Sequence, residues 1–170
     1  MKHSAKQPSR GIIDARKRKR ECKKLRDEND AIWSRMVKIL AGNKSEKEAT
    51  QEELRTHWSR RLNSHHAFRK EKYPCLRWEV RNGLCIFDWQ HVMAKGSAHD
   101  DPLVFDKWAL PYLHRRGDLE YLESMLPVRV QMTLDYVKER NKALREQYLS
   151  LTGHEFTYKK EDFDEFTEHE

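Results

Sequence analysis

The sequence predicts a mainly α protein with one small β-hairpin, an α+β fold in which long helices flank a central hairpin–helix unit. Three observations lead there. Charged residues make up 36% of the chain and mean hydropathy is strongly negative, which suits solvated helices better than an extensive buried sheet. Apolar residues recur at helical spacing over 25–40 and 130–151. One strong turn signal, Asn82-Gly83, separates two short runs of strand formers. At 170 residues the chain is long enough for one domain with its own core. It divides into a basic helical arm (1–44), a central helical domain (45–153) with the hairpin at 76–89, and an acidic, aromatic tail (154–170).

Helix formers take over from Ile12, and Leu25, Ile32, Met36 and Ile39, broadened by Trp33 and Leu40, give the second half of this helix a packing stripe that ends at Gly42-Asn43. The first half has no such stripe, and a charged helix does not fold on propensity alone. A second helix has two candidate starts, Ser45 with Glu48 and Thr50 with Glu53, each at capping-box spacing. Leu54, Trp58 and Leu62 form its stripe, and Pro74 bars Tyr73 from helical geometry. His65-His66 falls in this segment; adjacent helical residues diverge by about 100°, so the pair reads as two surface histidines and not as a shared metal site.

In the predicted hairpin, Asn82-Gly83 forms a type I′ turn with positive φ at Gly83. The register then pairs Arg81 with Leu84, Val80 with Cys85, Trp78 with Phe87 and Leu76 with Trp89, with Arg77 and Asp88 as a cross-strand ion pair. His91 projects from the same side as Trp89. A loop follows, and Asp100-Asp101-Pro102 starts a helix with a capping acid and Pro in its first turn. Leu103, Phe105, Trp108, Ala109 and Leu110 continue it; Pro111 either kinks or closes it beside His114. Leu119 to Leu126 forms a short helix. Pro127 opens the last long one, in which Val130, Leu134, Val137, Leu144, Tyr148 and Leu151 recur until Gly153. These stripes suit a core, a seam with residues 25–40, or self-association through either segment. Phe156, Tyr158, Phe163 and Phe166 lie among the acids of the tail.

The net charge of +6 is unevenly spread. Residues 1–26 hold eleven Lys or Arg against two acids, and residues 155–170 hold seven acids against two Lys, leaving about +2 for the body. A polyanion is the natural partner of such an arm, and nucleic acid, DNA first, is the expected one. The candidate phosphate contacts are Arg16, Lys17, Arg18, Lys19, Arg20, Lys23 and Lys24 in the arm, with Arg55, Arg60, Arg61, Arg69 and Lys70 as a second concentration. A solvated helix end explains the basic run equally well, and a nuclear-import signal is a third reading. Cys22, Cys75 and Cys85 match no zinc or disulfide spacing, so free thiols are expected. No apolar run is long enough for a bilayer, and the N-terminus lacks a secretion signal; a protein of the cytoplasm, with no membrane partner, is expected.

Tyr73-Pro74-Cys75 before the hairpin, Phe87-Asp88-Trp89-Gln90-His91 after it, and Leu103-Val104-Phe105-Asp106 beyond resemble a succession found in the HNH or ββα-metal nucleases, in particular the NinG-type phage recombination endonucleases. The resemblance covers roughly residues 73–120. It implies a metal-dependent endonuclease in which His91 is the general base and His114 a metal ligand; His99, Asp100 and Asp101 supply further ligands only if the intervening loop folds back. It implies one divalent ion, Mg²⁺ or Mn²⁺. The family's cysteine pairs are missing, with Leu76-Arg77-Trp78 following Cys75 and Leu110 and Leu113 at the second pair, so no structural zinc is expected; Ala109 stands where the family has an Asn. Three function classes follow: a ββα-metal endonuclease, a nucleic-acid-binding relative that has lost catalysis, and a helical adaptor or regulatory protein that binds another protein.

Overall fold

The computed structural model describes residues 10–57, 59–93 and 96–158; the segment before Arg10, Trp58 and the tail beyond Tyr158, with Phe163 and Phe166, lie outside them. The fold is the predicted mainly α one, with 60% of the described residues helical and a two-stranded antiparallel sheet. Its order is α1 (Arg10–Leu40), α2 (Gln51–Thr56), β1 (Leu62–His66), β2 (Gly83–Phe87), α3 (Asp88–His91), α4 (Pro102–Arg116), α5 (Leu119–Met125) and α6 (Leu134–Thr152). Among the described residues no helix is long and apolar enough to cross a membrane.

The sheet is not the predicted hairpin. β2 pairs with residues 62–66, in the register Leu62–Phe87, Asn63–Ile86, Ser64–Cys85, His65–Leu84 and His66–Gly83. Residues 76–82 form instead part of a long link with two single 3₁₀ turns, Pro74–Leu76 and Val80–Asn82. Asn82 is the hub of that link: wholly buried, its side chain accepts from the Phe68 amide at 2.7 Å and donates to the carbonyls of Phe68 and Leu76 at 2.9 and 3.2 Å. Gly83 has φ −88°, not the positive angle expected. Glycine is required there by crowding, since a Cβ would stand 2.1 Å from a methyl of Val37. Arg77, expected opposite Asp88, reaches Asp30 of α1 through two guanidinium nitrogens, Nε at 3.0 Å.

Strand parity divides the molecule into layers. On one face, Ser64 bonds the Ser34 hydroxyl at 3.0 Å, His66 stacks on Trp33 with ring centroids 3.9 Å apart, and Cys85 joins a core with Ile32, Trp33, Met36, Trp78, Val137 and Leu144. On the other, Leu84 and Ile86 join Phe105, Ala109, Leu113 and Leu122. A strand covered on both faces reads as a continuous apolar run, and Leu84-Cys85-Ile86 is one.

α1 and α6 form the first layer. Lys138 pairs with Glu21 at 2.8 Å, and Arg145 pairs with Glu28, a seven-residue step on both helices that shows them running in the same direction. The stripes of 25–40 and 130–151, offered as a surface for a partner, therefore pack largely on one another. α6 begins at Leu134, capped by Thr133, whose hydroxyl accepts from the Tyr136 amide at 3.2 Å, and not at Pro127; Val130, within the preceding non-helical stretch, packs into the α4/α5 core. α2 uses the second of its two candidate caps, with Thr50 and Glu53 in a reciprocal capping box, but it closes at Thr56 because the chain then enters β1. α4 continues through Pro111 to Arg116 and ends at Gly117, φ 78°.

Candidate metal centre

The same parity that sends His66 toward α1 sends His65 to the opposite face. There it meets His91, the last residue of α3, and His99, in the turn before α4. One nitrogen from each ring lies within 4.8 Å of the other two. His91 Nε2 and His99 Nε2 are 3.1 Å apart, and the His65 ring presents its edge to His91, His99 and Phe105 at centroid distances of 5.0, 5.8 and 5.1 Å.

Each histidine is held by a different local device. His65 is placed by its strand register. α3 follows β2 directly, and its Gln90 is buried, accepting from Ser45 Oγ at 2.9 Å and donating to the carbonyls of Lys47 and Glu48 at 3.3 and 3.4 Å. His99 arrives because the loop turns back at Gly96, φ 72°, so that the Ala98 and His99 amides bond the carbonyls of Gln90 and His91 at 3.3 and 3.2 Å. Asn63 places its side-chain amide 3.5 Å from His91 Nδ1, a contact that fixes the ring and leaves Nε2 facing the cluster.

Burial, with the neighbouring imidazoles adding to it, holds His65 well below the usual histidine range. The same causes, burial first and then His99, bring His91 to about 4. Both rings are therefore neutral at pH 7, the form that binds metal. An ion with bonds of about 2.0–2.1 Å needs ligand nitrogens roughly 3.3 Å apart. The His91–His99 pair already has that bite, and His65 has only on the order of 1 Å to close. His99 is exposed, so the centre opens to solvent, as three-ligand sites with a free coordination position do.

His91, the general base that the resemblance implied, thus stands in the candidate site with two other histidine rings beside it. His99, expected as a ligand, is one of the two. Asp101 is not part of the cluster; its carboxylate caps α4, accepting from the Val104 amide at 3.2 Å. His114 is exposed in the last turn of α4 and stands outside the cluster. His65 is the member of the cluster that sequence reasoning missed, because a strand assigned as helix hides parity: on a helix His65-His66 diverge, whereas on a strand they serve opposite faces.

The basic residues fall into two groups. Arg16, Lys17, Arg18, Lys19, Arg20, Lys23 and Lys24 are exposed along α1, ahead of the portion from Leu25 onward that packs. Nearer the cluster, Arg69 is exposed and Lys70 half-buried; their charges help to depress His65 and His91 respectively. Arg55 is exposed at the end of α2. Arg60 is tied down, donating to the carbonyls of His57 and Leu54 at 2.5 and 2.8 Å. Arg61 lines a groove of about 690 Å³ with His57, Trp89 and Met93. The three cysteines are free, Cys75 and Cys85 buried, and burial pushes the Cys85 thiol up to about 11.

No family model matches the chain, and neither a search of curated proteins nor one of solved structures returns a match.

Proposed function

We propose that the protein is a metal-dependent hydrolase of nucleic-acid phosphodiesters, built on a strand pair followed by a helix as in the ββα-metal nucleases. The observation that carries this reading is the convergence of His65, His91 and His99 on the side of the sheet opposite the long helices. An all-imidazole donor set suits Zn²⁺, Co²⁺ or Ni²⁺ better than Mg²⁺ or Mn²⁺, which prefer oxygen ligands. This departs from the Mg²⁺ or Mn²⁺ expectation for a chemical reason, the absence of a carboxylate among the three histidines.

An ion held there supplies Lewis-acid polarisation of a phosphoryl oxygen and lowers the pKa of coordinated water. The chain's residues do the rest. His65, His91 and His99 would hold the ion in one place, Asn63 would steady the His91 ring, and the exposed edge at His99 would admit the substrate. Arg69 and Lys70 give the neighbourhood the sign that attracts a phosphate backbone, and the basic first half of α1 extends that attraction beyond the core.

The test is nicking of supercoiled plasmid by purified protein across Zn²⁺, Co²⁺, Mn²⁺ and Mg²⁺. The reading predicts cleavage with a transition ion, loss with EDTA, and loss in His65→Ala. Cleavage that persists in His65→Ala, or none with any ion, contradicts it.

A further inference from the structure

Among the lysines near the cluster, Lys47 is in an unusual position. Its ammonium lies 5.5 Å from the centre of the Phe105 ring, and the same ring stands against His65 at 5.1 Å and Trp108 at 5.3 Å. A single aromatic side chain thus separates the charge from the candidate metal centre. The Lys47 backbone is not free to wander. Its carbonyl accepts from buried Gln90, the residue next to His91. The preceding Glu46 accepts from the Cys85 amide at 2.6 Å, the Tyr112 hydroxyl at 2.7 Å and Arg116 at 3.1 Å.

Lys47 is half-buried, yet among the described residues no carboxylate lies within ion-pair distance of it. The acid that acts on it electrostatically is Glu53, whose carboxylate is committed to the Thr50 cap, at 2.8 Å from the Thr50 amide. Burial lowers the ammonium's pKa and the charge of Glu53 only partly offsets this. Partial burial of a charge is unfavourable unless an anion completes it. A half-buried cation near the candidate metal centre is a preformed half of such a pair.

We propose that Lys47 is a phosphate-binding residue of the site, contacting the nucleic-acid backbone beside the phosphodiester that the three-histidine centre takes. This rests on the function proposed above and adds a specific substrate contact to it. The Phe105 face gives the ammonium an apolar support from which its three donors can reach a phosphate as a point charge.

The experiment is a salt titration of the Co²⁺-loaded protein against a short fluorescein-labelled duplex DNA, for wild type, Lys47→Met and Lys47→Arg. Lys47→Met keeps the apolar stem and removes the charge. Co²⁺ absorption and thermal melting of the same samples report whether the metal centre and fold are intact, and Lys47→Gln repeats the test if Met disturbs either. One lost phosphate contact makes the slope of log affinity against log salt shallower by about one. The proposal predicts that change in Lys47→Met with Co²⁺ affinity unchanged, and its reversal in Lys47→Arg. Wild-type slope and affinity in the neutral variants overturn it while leaving the metal-dependent reading standing. Failure of the wild type to bind Co²⁺ or the duplex brings down that reading, and Lys47's role with it.

Discussion

His91 and His99 face each other through their Nε2 atoms at 3.1 Å, although eight residues separate them. Only one hydrogen can lie between two ring nitrogens, so in the absence of an ion one ring donates and the other accepts. If the Asn63 amide nitrogen, 3.5 Å from His91 Nδ1, donates to it, His91 is the donor of that pair. Coordination would need the opposite tautomer, with Nδ1 protonated and the Asn63 oxygen turned toward it. A carboxamide can do this by rotating about its last bond. Replacing Asn63 with Asp should hold the metal-binding tautomer more strongly and tighten Zn²⁺ binding, by analogy with carboxylate–histidine–metal arrangements. Asn63→Leu should weaken it by about tenfold or more. Calorimetric titration of the two variants reads both effects.

Gly83 is fixed by its neighbour and not by its backbone angle. A Cβ there meets Val37 at 2.1 Å, so Gly83→Ala should destabilise by about 1–3 kcal/mol through overpacking. The double variant Gly83→Ala/Val37→Ala should recover part of that loss. A cycle of urea melts measures the coupling, and simple additivity would refute the contact.

Trp78 is almost wholly buried and its indole nitrogen donates to Asp30 at 2.6 Å. Trp78→Ala should therefore cost about 3–5 kcal/mol and lower the melting temperature steeply. Arg18→Ala, on the exposed first half of α1, should leave it unchanged. Differential scanning calorimetry separates the two.

His66 titrates near 4 because burial opposes its charge. The unfolded chain takes up that proton near 6.5, so the stability this group contributes is present above about pH 6.5 and is lost as pH falls toward 4. His91 acts in the same direction, and each contributes at most roughly 3 kcal/mol. Melting temperature should fall across that window. His66→Phe, which keeps a ring against Trp33, should flatten the decline. An identical pH profile in wild type and variant would contradict the assignment.

The arm makes a separable prediction about binding. About seven phosphate contacts from Arg16 to Lys24 give a log–log salt slope of about −6, and replacing Arg16 to Arg20 with alanine should flatten it by roughly 4. Fluorescence anisotropy with duplex DNA reads the slope, and an unchanged slope excludes the arm from the interface.

Much of the helical frame was legible because its signals are local. The Leu25–Ile39 stripe, the Gly42-Asn43 stop, the Asp101-Pro102 start and the Gly153 end all appear where periodicity and capping put them, whereas Leu40, expected to broaden the stripe, is exposed. The sheet was not legible, because Asn82-Gly83 carries the chemistry of a tight turn while its side chain is needed inside a longer link. The partner strand, Leu62 to His66, contains Asn, Ser and two His, residues with little strand preference, and is made a strand by what packs on its two faces. That non-local fact conceals the site as well. His91 and His99 could be singled out one by one, but their meeting with His65 depends on a strand pairing across a 16-residue link and on a loop closing at Gly96.

The central claim is tested most directly by calorimetric titration of the protein with Zn²⁺, repeated on His65→Ala, His91→Ala, His99→Ala and His114→Ala. The account predicts one ion per chain, lost or much weakened in the first three variants and unchanged in His114→Ala. Absence of stoichiometric binding, or binding that survives in His65→Ala and disappears in His114→Ala, would contradict it.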